Sequence, residues 1–189
     1  MAYIRTIPAR EAQGPLADLY RRFGNPDGGV DNVVVVHSLN PESLEAHMAL
    51  YVQAMHRPSP LSRAEREILG CVASRLNGCT YCLEHHAAGL ERLMPPERRD
   101  VVRAVKTGIS KEELTPREKA LVGYAEKLTS TPDRVTQQDV EALRRAGLSD
   151  REIVDAAQVV AYFAYANRIV LGLGATLETD TAPGQWPSV

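Results

Sequence analysis

One signal recurs along this chain and dictates helices more strongly than any other feature. Ser or Thr is followed three residues on by Glu at Ser62/Glu65, Ser110/Glu113, Thr115/Glu118 and Ser149/Glu152, with a weaker version at Thr136/Asp139. In this capping box each side chain satisfies the other residue's free backbone N–H at a helix start. Ser110 reads as a turn, because Pro116 follows so soon. Asn40-Pro41 adds a further start, with Asn as N-cap and Pro at the first helical position. The spacing of apolar residues then predicts helices over 10–23, 41–55, 63–76, 81–94, 96–107, 116–128, 137–146 and 150–173. Residues 24–29 are a loop by their turn residues. The run Val33 to Val36 has no second strand pattern to pair with, so it reads as a short buried helix or an extended connector. The expected fold is all-α, one helical domain over 1–174 followed by a tail over 175–189.

Composition closes several alternatives. The net charge of -2 sets up no strong field for nucleic acid or an anionic membrane. The start M-A-Y-I-R-T-I-P has no basic region leading into a long apolar stretch, so no secretory signal is visible. The most apolar segment, 153–175, is interrupted by Asp155, Gln158, Asn167 and Arg168, which a membrane span tolerates poorly. It is apolar over most of its circumference, which predicts a central helix or one shared between subunits. Three cysteines, two of them in C-x-x-C, suit a cytosolic redox or metal site better than a disulfide framework. The expectation is a cytoplasmic protein.

The chemistry concentrates between Glu67 and His86. Asn77-Gly78 is a helix stop, so Cys79 falls at or beside the start of the next helix. There the unsatisfied N–H groups and the positive end of the dipole favour thiolate, and such cysteines reach pKa values of roughly 3.5–7.5. Cys82 lies three residues on. In regular helix two such side chains are about 5–6 Å apart, whereas a disulfide needs Cβ atoms near about 4 Å. A half-helical Cys79 supplies that adjustment. His86 is four residues after Cys82 on the same face and is placed to take its proton. His85 points elsewhere. Helix-end exposure favours Cys79 as the attacking thiol and nearness to His86 favours Cys82; the balance leans to Cys82.

A faint internal repeat separates two acids. Leu61-S-R-A-E-R-E-I-L aligns with Leu114-T-P-R-E-K-A-L-V, matching Glu65 to Glu118 as capping residues and Glu67 to Ala120. Glu67 is thus surplus to capping. If the helices fold back on each other it reaches His86 and orients the ring, the third-group role in nucleophile activation. Zinc sites usually bring four ligands, and here only Cys79, Cys82 and His86 are local, so no metal and no resident cofactor is expected. Cys71 reads as core. His37, His47, His56 and His85 read as solvent-facing or locally bonded. Tyr81 either lends a hydroxyl or covers the disulfide.

The pattern Glu67, eleven residues, then Cys79-x-x-Cys82-x-x-x-His86 resembles the active-site motif of the AhpD-like alkylhydroperoxidases, in the carboxymuconolactone decarboxylase superfamily. The segments S-R-L-N-G-C-T-Y-C-L-E-H-H and G-L-S-D-R-E-I-V-D-A-A-Q-V-V-A-Y-F with N-R-I resemble its single-site "peroxidase-related" subgroup. The resemblance implies an all-helical homo-oligomer that reduces hydroperoxides. Cys79 and Cys82 would be the redox pair, His86 the base and Glu67 the far end of the relay. It also implies an external dithiol donor protein, of lipoyl or thioredoxin type. The chain departs from the best-known peroxidase at Tyr81, where that enzyme has a histidine. The decarboxylase branch lacks the cysteine pair. Two other readings use the same residues: a dithiol–disulfide reductase or carrier that never meets peroxide, and a non-enzymatic helical module.

Overall fold

The start signals close helices as their chemistry requires. In the computed structural model, which describes residues 2–26 and 28–178, Ser62, Thr115 and Ser149 each form a reciprocal capping box with the Glu three residues on. Thr136 and Asp139 do the same. Asn40 accepts from the Ser43 N–H at 3.0 Å. The described residues form nine α-helices and no strand: α1 (Gly14–Phe23), α2 (Asn32–Val35), α3 (Pro41–Met55), α4 (Arg63–Leu76), α5 (Thr80–Leu93), α6 (Asp100–Thr107), α7 (Pro116–Ser130), α8 (Gln137–Arg145) and α9 (Asp150–Leu173). The valine run is therefore the short helix α2. The first long helix begins at Gly14 rather than residue 10, because Pro15 disfavours helical backbone before it; Ala9–Glu11 form an isolated 3₁₀ turn. The expected 96–107 helix divides into a tight 3₁₀ turn, Pro96–Arg98, and α6.

Helix α4 runs through the middle and packs against α3, α5, α6, α7 and α9. Every residue from Arg66 to Ser74 is buried. Helix α9 also lies deep, but on one side only: Phe163 and Asn167 are buried while Val154, Tyr165 and Leu171 face outward. By length and composition alone α9 is able to cross a membrane, yet 44% of its apolar window is buried against the other helices. The two helices meet without a spacer at Gly70. A Cβ there would stand 2.5 Å from Cε2 of Phe163. At the helix starts, Arg117 of α7 binds the capping residues of both neighbours, Glu65 at 2.6 Å and Glu152 at 2.5 Å, and donates to the Gly147 carbonyl.

Three histidines depart from expectation. His37, His47 and His85 are buried rather than solvent-facing, and His47 and His85 bond to distant elements, since a buried imidazole needs partners wherever the fold supplies them. His37 Nε2 meets His47 Nδ1 at 2.7 Å, and His47 Nε2 meets the Tyr162 hydroxyl at 3.0 Å.

Because the α4–α9 contact is already closed, Gly70→Ala should destabilise the protein by about 1–3 kcal/mol through overpacking. The urea midpoint measures this; an unchanged midpoint would show that Phe163 has room to retreat.

Candidate active site

Helix α4 ends because Gly78 takes a positive φ of 69°. Its N–H bonds the Arg75 carbonyl at 3.1 Å and the Cys79 N–H bonds the Ser74 carbonyl at 2.9 Å. This is the Schellman pairing, which satisfies carbonyls a helix end leaves open. The turn folds α5 back on α4 and makes Cys79 the N-cap of α5, with non-helical φ -91° and ψ 89°. No conventional side-chain cap closes this end; the Cys79 sulfur faces it instead. The thiol of Cys82 donates to Cys79 and lowers its pKa most. Burial opposes that, and the N–H groups of Cys82 and Tyr81 and the Asn167 amide assist, leaving Cys79 at about 7. Cys82 is pushed well above the ordinary thiol range by the same bond and by burial. The lower pKa therefore falls on Cys79, chiefly through its bond to Cys82, with the N–H groups of the helix start adding to it. Cys71 lies wholly buried in the core, its thiol raised by burial.

Glu67 of α4 is 1% exposed and reaches His86 of α5, its Oε2 lying 2.6 Å from Nδ1. Its Oε1 accepts from Arg63 at 2.9 and 2.8 Å. Arg63, one helical turn earlier, also donates to the Met55 carbonyl at 2.7 Å. Burial would raise the Glu67 pKa, but His86 and Arg63 outweigh it and hold the group below the usual carboxylate range. An ionised carboxylate only accepts, so Nδ1 of His86 carries the hydrogen and Nε2 is the basic nitrogen. Gly89 makes room for this pair: a Cβ there would lie 3.2 Å from Glu67 Oε1. The Phe163 and His86 rings pack perpendicular to each other, 4.6 Å between centroids.

Tyr81 and His85 belong to a second cluster. The Tyr81 hydroxyl donates to Glu178 at 2.8 Å and accepts from the Val33 N–H at 3.2 Å. His85 Nε2 meets the other Glu178 oxygen at 2.8 Å, and the Asn32 N–H donates to Glu178 at 2.7 Å. Burial opposes its ionisation, but these bonds bring Glu178 down to about 2. The segment expected as a loose tail is therefore tied, up to Glu178, beside the cysteine turn. Its remainder, including Trp186, lies outside the described residues. Sequence reasoning missed Glu178, because no local pattern marks it. Arg63 was legible as an i,i+4 partner of Glu67, and Asn167 as an amide inside an apolar helix.

Residues 41–100, which span α3, α4 and α5, match the carboxymuconolactone decarboxylase family profile. The chain is similar to a solved peroxidase-related protein, described as an alkylhydroperoxidase AhpD core, from Ralstonia eutropha JMP134. The identity is 25% and the TM-score 0.78, covering 98% of this chain and 99% of that one. A peroxidase-related protein from Silicibacter sp. TM1040 is 28% identical, with TM-score 0.74, over 84% of this chain and 82% of that one. The debrominase Bmp8 shares the fold at 19% identity and TM-score 0.75, over 96% of this chain and 94% of that one.

The thiolate assignment predicts how the protein alkylates. With Cys79 at about 7, iodoacetamide modification should rise about tenfold per pH unit below that value and level off above it, since only the thiolate reacts. Peptide mapping should find the label on Cys79. Label on Cys82 first, or a midpoint near the ordinary thiol value of about 8.5, would overturn the assignment.

Proposed function

The chain belongs to the AhpD-like carboxymuconolactone decarboxylase superfamily, and on that footing we propose that it is a thiol-dependent peroxidase acting through Cys79 and Cys82. The observation that carries this reading is the buried Glu67–His86 pair, at 2.6 Å, set one helical turn from a dithiol whose N-terminal sulfur ionises near neutral pH. A decarboxylase has no evident use for that combination, and a peroxidase needs each part of it.

The cycle balances as follows. The Cys79 thiolate attacks the peroxide O–O bond, becoming sulfenic acid while the departing alkoxide takes a proton and leaves as alcohol, or as water from hydrogen peroxide. His86, oriented by Glu67, removes the proton of Cys82. The Cys82 sulfur then displaces hydroxide from Cys79, which leaves as water, and the disulfide forms. An external dithiol reduces it by exchange. Both cysteines are at most 5% exposed, which suits a small peroxide and a slender donor such as a lipoyl arm better than the flat face of a thioredoxin-type protein. The outward Val154, Tyr165 and Leu171 of α9 support a homo-oligomer of this chain.

A second reading keeps the dithiol and drops the peroxide: a disulfide reductase or dithiol carrier. A thiol with its pKa near ambient pH is also the best attacking group for exchange. The two separate in one experiment, in which peroxide consumption and donor oxidation are followed with lipoyl-type and thioredoxin-type donors. Peroxide-dependent turnover is expected with the lipoyl-type donor; exchange without peroxide consumption would favour the second reading. Cys79→Ser and Cys82→Ser should each abolish turnover, with Cys82→Ser trapping a sulfenic acid on Cys79. Glu67→Gln should slow the cycle by about 10²-fold or more, the scale of a lost acid–base partner. Full turnover in either serine variant would sink the scheme.

A further inference from the structure

The proposed cycle needs protons from water, and its acid–base groups are shut away from water. Oxidation calls for one proton on the departing alkoxide. Reduction by an ionised donor dithiol frees both sulfurs as thiolates, and Cys82 then calls for a second. Yet Glu67, His86 and both cysteines are at most 5% exposed. The end of α3 adjoins this closed site. Arg63, which holds Glu67 at 2.9 and 2.8 Å, also donates to the Met55 carbonyl at 2.7 Å, and His56 follows as the C-cap of α3. The His56 ring packs on Tyr51 at 5.0 Å between centroids, and the Tyr51 ring lies 6.4 Å from that of His86. Both imidazoles thus adjoin one buried phenol.

The His56 ring meets two different surroundings. Its Nε2 is sealed inside, with no hydrogen-bond partner among the described residues. The residue also lines a cleft of about 450 Å³ between α1 and α3, with the exposed Arg22, Gln53 and Arg57. A buried polar atom left unpaired costs stability, so packing alone gives no reason for histidine here.

We propose that His56 is the proton port of the relay: its ring takes a proton from the cleft at one nitrogen and gives one inward at Nε2, through the Tyr51 hydroxyl, to His86. This rests on the redox-dithiol reading above and adds the route by which its protons enter. One N–H bond forms as the other breaks, so the ring keeps no charge, the ordinary action of an imidazole shuttle. A phenol accepts and donates in turn. The surroundings suit passage rather than storage. Burial first, then Arg63, hold His56 at about 4, against the pull of Glu67. Burial and Glu67 keep Tyr51 protonated. The other charges near the ring are Arg66 and His86 on the inner side and Arg22, Arg57 and Glu45 on the cleft.

The test uses a half-cycle that needs no peroxide: loss of the disulfide when diamide-oxidised protein meets dithiothreitol in weak buffer. His56→Ala should slow it about tenfold or more, since a lost acid–base step costs at least that. Added imidazole, entering where the ring stood, should restore the rate and leave the unaltered protein unaffected. The Cys79 alkylation midpoint should stay at about 7, because nothing bonded to the sulfurs changes. A histidine that only packs predicts a loss that imidazole does not repair; that result, or an unchanged rate, overturns the inference. Should His56→Ala fail to fold, His56→Phe keeps the ring on Tyr51 and removes the unpaired nitrogen. It should melt no lower than the unaltered protein and still be slow; a full rate refutes the port. Peroxide left unconsumed by the unaltered protein, with the half-cycle effect intact, would sink the proposed activity alone.

Discussion

A carboxylate buried in the interior organises this protein. Glu67 is 1% exposed, and a charge removed from water is tolerated only when paired and fully hydrogen-bonded. Arg63 meets one oxygen and His86 the other, and Arg63 is itself tied to the end of α3 through the Met55 carbonyl. Three helices are thereby held to one group. Breaking any one contact would strand a charge, so the arrangement is held rigid. The arrangement reaches the neighbours too: a Cβ at residue 89 would crowd Glu67, and Phe163 packs perpendicular to the His86 ring.

The same helices are locked again at their starts. Glu65, Glu118 and Glu152 each cap their own helix and are also bound by arginines from elsewhere: Arg117 takes the spare oxygens of Glu65 and Glu152, and Arg98 reaches the capping oxygen of Glu118 at 2.7 Å. Local capping and tertiary pairing therefore use the same side chains. One end of the bundle is closed by ion pairs on capping residues. The other end holds the α4–α5 turn and, bound beside it, the cysteines, Asn167 and Glu178.

At that turn, backbone conformation produces chemistry. A positive φ at Gly78 stops α4, and the stop places Cys79 where α5 offers its free N–H groups. The two thiols share an environment yet separate in acidity, because one faces those donors and the other supplies a proton to it. His86 stands one turn further along α5, on the Cys82 side. An acidified thiol and a buried imidazole on neighbouring turns of one helix are what the proposed attacking and resolving steps call for.

Sequence by itself determined the elements that depend on local chemistry. Capping pairs, Asn77-Gly78 and the 3.6-residue periodicity are short-range causes, so the helices, the Cys79 N-cap and the distinction between Glu65 and Glu67 were all legible. It also placed Cys79, Cys82, His86 and Glu67 as candidates by spacing and resemblance. What only the tertiary structure decided are the long-range pairings: Asn167 across 90 residues to Asn77, Glu178 across 93 to His85, His47 across 115 to Tyr162. No local pattern encodes where a buried polar group will find its partner.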